Sequence, residues 1–282
     1  MTEETAPNIR LELVNLPENV SLVREMLAGV AEAVPLEDGQ LDDMKTVVSE
    51  AANNVVLHAY DGREGPLEVE VYIHDGCIEV VVRDQGEGIR PRPAADEEEV
   101  KGIGLSVIQA LTARTQFRGA IGEGTEVRME FSTPGARRPA AFNGTSTDGR
   151  QAATLAVAEG ATAVLQIAPV PLARRVLSRP VSALAARARF SIDRLSDVQL
   201  VADALTARAE HALLGGMLEL GVSVEVRELE LRLGPFAAGK AAQLVGESAV
   251  GGLDPLVETL ADEIAVAPHG DAEVLTLRLL EL

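Results

Sequence analysis

The chain has 282 residues, enough for two domains of ordinary size, and 46% of them are apolar, a composition that excludes general disorder. Aromatic residues make up only 2% and tryptophan is absent, so the cores must be aliphatic. The net charge of −19 argues against direct nucleic-acid or anionic-membrane binding, both of which need phosphates neutralised by Lys and Arg. Residues 1–134 hold 26 Asp and Glu against 11 Lys and Arg, and residues 135–282 hold 18 against 14. The acidity therefore sits in the first half, where a basic protein partner would be steered in. The lone cysteine, Cys77, cannot pair within the chain and reads as a small strand hydrophobe. Residues 1–8 lack the apolar centre of a signal peptide, and no apolar run approaches the ~20 residues of a membrane span. A cytoplasmic protein is expected.

In chain order, residues 9–14 alternate and predict a strand. Apolar positions at helical spacing predict a helix from Asn19 to Val34, stopped by Pro35. A second helix is predicted over Gln40–Ala59. Strands Leu67–Ile73 and Cys77–Arg83 follow, joined by His74-Asp75-Gly76, where Asp-Gly is a strong hairpin signal. Residues 84–102 carry Gly86, Gly88, Pro91 and Pro93 and then the acidic run 96–99, which predicts a lid-like loop. A helix over Ile103–Thr112 and strands Thr115–Ala120 and Thr125–Phe131 complete the unit. This order predicts a two-layer α/β sandwich, with helices on one face of a mixed, mainly antiparallel sheet.

Residues 134–152 are rich in Pro, Gly, Ser, Thr and Arg and read as a linker. Residues 153–282 then resemble a faded copy of 8–133. The stretch 195–214 aligns with 41–60 without a gap, 252–265 with 104–117, and 270–279 with 124–131 with one residue inserted. Val222–Val226 and Leu229–Leu233 offer a short strand pair between them. A tandem repeat is expected, against the competing explanation of chance similarity between Ala- and Leu-rich helices.

Four short motifs in the first unit bear on chemistry. Glu50 and Asn54 lie four residues apart on the second helix, on one face. There a carboxylate can take a proton from a hydroxyl and an amide oxygen can ligate Mg²⁺, although such pairs also occur on solvated faces. Asp84, Gly86 and Gly88 follow a strand end. The carboxylate can accept from an exocyclic amino group while the glycines allow close backbone approach, and a plain Asx turn is the competing explanation. Lys101, Gly102, Gly104 and Leu105 open a helix, whose N-terminal N–H groups suit phosphate. Gly124-Thr125 alone would be any turn.

In this order the motifs resemble the N, G1, G2 and G3 boxes of the Bergerat (GHKL) ATPases. The stretches 47–60 (VVSEAANNVVLHAY), 80–89 (VVVRDQGEGI), 101–112 (KGIGLSVIQALT) and 124–131 (GTEVRMEF) are similar to the anti-sigma factor serine/threonine kinases. The resemblance covers about residues 8–133. It implies a Bergerat-type sandwich that binds ATP and Mg²⁺, phosphorylates a Ser or Thr of an anti-sigma factor antagonist and binds a sigma factor. Glu50 would be the catalytic base, Asn54 the Mg²⁺ ligand, and Asp84 the adenine acceptor supported by Thr125. Gly86, Gly88, Gly102, Gly104 and Leu105 would shape the nucleotide site, and Lys101 would reach a phosphate. His58, one turn past Asn54, is expected to be structural or pocket-lining. A sensor histidine kinase would need a phosphoacceptor helix upstream, and only about eight residues precede the first strand.

In the repeat alignment Ala204 stands for Glu50, Arg208 for Asn54 and Val250 for Gly102, and no Asp follows Leu229–Leu233. The second unit is therefore expected to lack a nucleotide site. Because the kinases it resembles are homodimers, a fused inactive copy would form an intramolecular pseudo-dimer. The competing function is a regulatory binding protein that uses ATP only as a conformational ligand.

Overall fold

The computed structural model describes residues 6–88, 103–120, 122–139, 154, 156–246 and 255–281. The chain divides into two compact units, Met1–Pro139 and Ala140–Leu282.

The first unit opens with β1 (Ile9–Val14), a 3-10 turn at Pro17–Asn19, α1 (Val20–Ala33) and α2 (Gln40–Asn54). The second predicted helix is not uniform to its end, because Val55–Ala59 form a π-helical turn. The hairpin β2 (Pro66–His74) and β3 (Cys77–Asp84) turns at Asp75-Gly76 as the sequence predicts. Then come α3 (Ile103–Leu111), β4 (Arg114–Gly119) and β5 (Thr125–Ser132). The expected lid at 89–101 lies outside the described residues. The sheet order is β4-β5-β3-β2-β1, and every pairing described within this unit is antiparallel, a narrower pattern than the mixed sheet expected.

Strand alternation assigns the two faces. Leu11, Val69, Val82, Val127 and Phe117 stand opposite one another across five strands. This row and its neighbours face α1 and α2, whose Leu22, Met26, Met44, Val47, Val48 and Ala51 are buried. Each fully buried aliphatic side chain contributes about 1.5–3 kcal/mol, and such residues take the place of the missing aromatics.

The opposite face carries charge. Glu12, Glu68, Arg83, Glu126 and Arg118 form one cross-strand row. Arg83 donates to Glu126 at 2.8 Å, to Glu68 at 3.1 Å and also to Glu70, which is only 5% exposed. Burial alone would raise the Glu126 carboxyl, but hydrogen bonds from Arg128 and Arg83 bring it below its ordinary value. Burial and the Glu70 carboxylate push the Tyr72 phenol up to about 12.

The second unit contains β6 (Ala163–Ile167), α4 (Val170–Val176), α5 (Ser178–Arg187), α6 (Ile192–Thr206), β7 (Leu218–Glu225) and β8 (Glu228–Ala237). It continues with α7 (Lys240–Gly246), α8 (Leu256–Leu260), β9 (Glu263–His269) and β10 (Ala272–Leu280). Its strand order is β6-β7-β8-β10-β9, with the described pairings antiparallel. The strand pair is longer than expected at Val222–Val226 and Leu229–Leu233, because Gly221, Gly234 and Pro235 read as breakers yet lie within strands. Gly221 is there for closeness: a Cβ on it would come within 1.9 Å of the Val157 carbonyl oxygen. Val157 belongs to a helical turn and packs with Ala272 and Val274 in a small buried cluster. Among the described residues no helix is long and apolar enough to cross a membrane.

The charged sheet face yields a stability test. Arg83→Met leaves Glu70 and Glu126 without their shared cation, at an expected cost of about 1–3 kcal/mol at neutral pH. A carboxyl whose folded pKa is lowered stabilises the fold above its unfolded value and loses that contribution as pH falls through the folded value. The gap between wild type and variant should thus narrow below the ordinary carboxylate value near 4.5. Both tyrosines, Tyr60 and Tyr72, lie in the first unit and the chain has no tryptophan, so urea unfolding followed by tyrosine fluorescence reports this unit alone. Equal midpoints for the two proteins at pH 7 would show that the network contributes nothing.

Candidate functional site

A cavity of about 370 Å³ opens in the first unit between α2 with its π turn, β3, β5 and β4. Its volume lies within the ~300–1,000 Å³ typical of small-molecule sites, which are mainly apolar with a few placed polar groups. Val55, Val82, Phe117 and Val127 supply apolar walls, and Asn54, His58, Asp84 and Thr125 supply polar groups.

Local folding explains why these residues meet. Asn54 ends the regular part of α2, and the wider π turn carries His58 onto the cavity while Ala59 and Tyr60 stay buried. π turns recur at functional sites because they re-aim a helix end. Val82, Val127 and Phe117 are the last members of the cross-strand apolar row. The sheet face that makes the core thus continues as the cavity wall.

Asp84, at the end of β3, is 8% exposed. Its Oδ1 accepts from the Gly86 N–H at 2.8 Å and from the Thr125 N–H at 3.2 Å. These two bonds hold one carboxylate oxygen, and Asp84 itself lines the cavity. Two glycines make the geometry possible. A Cβ on Gly86 would lie 2.0 Å from the Ala59 carbonyl oxygen, and a Cβ on Gly124 would lie 2.1 Å from that of Asp84. The Ala59 oxygen also accepts from the Glu87 N–H at 2.9 Å. The end of α2, the loop after β3 and the turn before β5 therefore meet backbone against backbone.

The structure brings Asn54, Asp84, Gly88 and Thr125 to one cavity, with Gly86 behind it. Glu50, one helical turn before Asn54, is half-buried and is not part of the cavity wall among the described residues. Gly104 and Leu105 lie in α3, whose Gln109 reaches the cavity, while Lys101 and Gly102 lie outside the described residues. Val82, Gln109, Phe117 and Val127 were not singled out from the sequence. Period-two alternation marks a strand's apolar face but not which residue on that face borders a cavity.

Residues 13–131 match the family model of the Histidine kinase-like ATPase domain. The chain is 31% identical over 129 residues to the anti-sigma F factor of Caldanaerobacter subterraneus subsp. tengcongensis, covering 43% of this chain and 90% of that protein. It is 30% identical over 134 residues to the serine-protein kinase RsbW of Bacillus pumilus, covering 42% of this chain and 83% of that one. A solved structure of the RsbU and RsbW domains of Rv1364c from Mycobacterium tuberculosis is similar over 48% of this chain and 34% of that one, at 22% identity and a TM-score of 0.35. All of these similarities concern less than half of the chain. Through its first unit, the chain belongs to the anti-sigma factor serine kinase family of the histidine kinase-like (GHKL) ATPases.

Proposed function

We propose that residues 8–133 bind Mg-ATP in the α2–β3–β5 cavity, phosphorylate a Ser or Thr of an anti-sigma factor antagonist and bind a sigma factor. The observation that carries this is the Asp84 carboxylate, anchored through one oxygen and set in an apolar cavity. That is an acceptor suited to the amino group of adenine. Val82, Val127 and Phe117 would form the sheet-side wall against the flat base, and Thr125 would support Asp84. Gly86 and Gly88 would shape the base pocket, with Lys101, Gly102, Gly104 and Leu105 on the phosphate side.

Asn54 lines the cavity, and its amide oxygen would be the one protein ligand of Mg²⁺, with phosphate and water completing the shell. Bound Mg-ATP supplies the phosphoryl group and neutralises its charge. The chain positions the acceptor hydroxyl and receives its proton on Glu50, and such transfers depend chiefly on positioning and charge. The place of Glu50 off the cavity wall favours a second possibility, a regulator for which ATP is only a conformational ligand.

One set of variants separates the two. Glu50→Ala should lower phosphoryl transfer by about 10²–10⁴ while nucleotide affinity stays near wild type, because a base acts in the transition state. Asp84→Asn and Asn54→Ala should weaken nucleotide binding itself. Labelled Mg-ATP incubated with candidate antagonist proteins reads the first effect, and calorimetry reads the second. Full phosphoprotein formation by Glu50→Ala would remove it as the base. No phosphoprotein from the wild-type chain, with tight ATP binding, would leave the non-catalytic regulator.

For residues 153–282 we propose a degenerate Bergerat-type copy without a nucleotide site, joined by a linker at 134–152. Both units share one strand order. Buried α2 positions 44, 47, 48, 51 and 52 recur in α6 at 198, 201, 202, 205 and 206, and the same offset pairs Glu50 with Ala204 and Asn54 with Arg208. Glu68 pairs with Arg83 as Glu219 pairs with Gly234, so Pro235 takes the place of Asp84. None of these replacements offers the base, amide oxygen or carboxylate that the first unit has. Calorimetry of the full chain should therefore give about one ATP per chain, as the single complete residue set requires, and Asp84→Ala should weaken binding at that one site. Two sites of similar affinity would refute the degenerate-copy proposal.

A further inference from the structure

Tyr60 is the residue just beyond the π turn of α2 and is 9% exposed. Its hydroxyl accepts from the Gln85 N–H at 2.8 Å and donates to the Pro66 carbonyl. It therefore bridges the loop after β3 to the start of β2. The ring is seated: a Cβ on Gly65 would lie 2.2 Å from a ring carbon. The loop beneath the ring is tied to the end of β1, since Asn15 Oδ1 accepts from the Gly65 N–H at 2.8 Å and Asn15 Nδ2 donates to the Arg63 carbonyl at 3.1 Å. Burial, with the Asp84 charge added, raises the phenol above its ordinary value. The hydroxyl proton goes to the Pro66 carbonyl.

Gln85 lies between Asp84 and Gly86, and Asp84 Oδ1 depends on the Gly86 N–H. A peptide fixed at Gln85 fixes the turn that fixes the carboxylate. We propose that Tyr60 is a positioning residue for 6-aminopurine recognition, its hydroxyl holding the Gln85 peptide so that the free edge of Asp84 meets the exocyclic amino group. This rests on the nucleotide-site function proposed above. Tyr60 need not touch the nucleotide, because a placed acceptor is only as selective as the groups that hold it. A site built to accept from an amino group discriminates against the analogue with an oxygen there, since two acceptors then face each other.

The test compares ATP with inosine triphosphate, which carries an oxo group where ATP carries the amino group, on the full chain. Tyr60→Phe keeps the ring on Gly65 and removes only the hydroxyl. ATP affinity should fall about three- to tenfold, the range of one lost hydrogen bond, and inosine triphosphate affinity by less than about twofold. The affinity ratio should then shrink. A purely structural role would weaken both nucleotides alike and leave the ratio unchanged. In an Asp84→Ala background the substitution should not alter the ratio further, because the group it positions is gone. A wild-type chain that discriminates, with a Tyr60→Phe chain that discriminates equally well, overturns this proposal alone. A wild-type chain that binds neither nucleotide overturns the nucleotide-site function and this proposal with it.

Discussion

The close meeting of three backbones around Asp84 is the constraint on which the cavity depends. The Ala59 carbonyl takes the Glu87 N–H, and Asp84 Oδ1 takes the Gly86 and Thr125 N–H groups. At Gly86 and Gly124 any side chain would collide with a carbonyl oxygen. These contacts join a helix end, a strand end and a turn that are far apart in sequence. The apolar walls then need only be a continuation of the sheet's core row. A substitution at Gly86 would act on the site by separating the loop from the helix.

The two faces of the first sheet do different work with one alternating pattern. The apolar face packs α1 and α2 and runs on into the cavity. The charged face ties three strands, β2, β3 and β5, together through Arg83 and Arg128, with Glu68, Glu70, Glu79 and Glu126 as acceptors. Cross-strand opposite charges are worth only tenths of a kcal/mol to about one each. Arg83 has three carboxylate partners, however, and one of them, Glu70, is almost fully buried. Removing a shared cation exposes all three to one another, which is costlier than losing a single surface pair.

Much of this was legible in the sequence, for identifiable reasons. Alternation in 67–73 and 77–83 and the Asp75-Gly76 turn are local signals, and the hairpin forms where they place it. The spacing of Glu50 and Asn54 was legible as a shared helical face, but whether that face borders a cavity depends on what packs beside it. Asn54 lines the cavity and Glu50 does not. The π turn at Val55–Ala59 was not legible, because residues at this spacing satisfy either helical period over so short a run. Phe117 and Val127 were not legible as cavity walls, since that role is fixed by strands paired across the sheet. Tyr60 was passed over because its partners, Gln85 and Pro66, are backbone groups, and backbone partners leave no trace in residue type. The length of β8 was misjudged at Gly234-Pro235, where packing overrode the local breaker signal.

The second unit shows what the same strand order becomes when the strand end is not held open. Beyond Gly234 the chain does not turn away from the sheet as it does after Asp84. The Pro235 carbonyl accepts from the Leu214 N–H, and the Ala237 N–H donates to the Ala212 carbonyl, each at 2.8 Å. Phe236 between them is fully buried. The segment after α6 is thereby zipped onto the end of β8. In the first unit the corresponding segment makes one backbone bond there and the Tyr60 hydroxyl makes another, with a cavity alongside. Proline has no carboxylate to accept the N–H two residues on, as Asp84 does from Gly86, and a fully buried phenylalanine is worth more to a core than an open cleft. The second unit thus has Pro235 and a closed strand end where the first has the Asp84 carboxylate and a cavity. A strand end filled by a buried side chain such as Phe236 contributes to the stability of the unit that holds it.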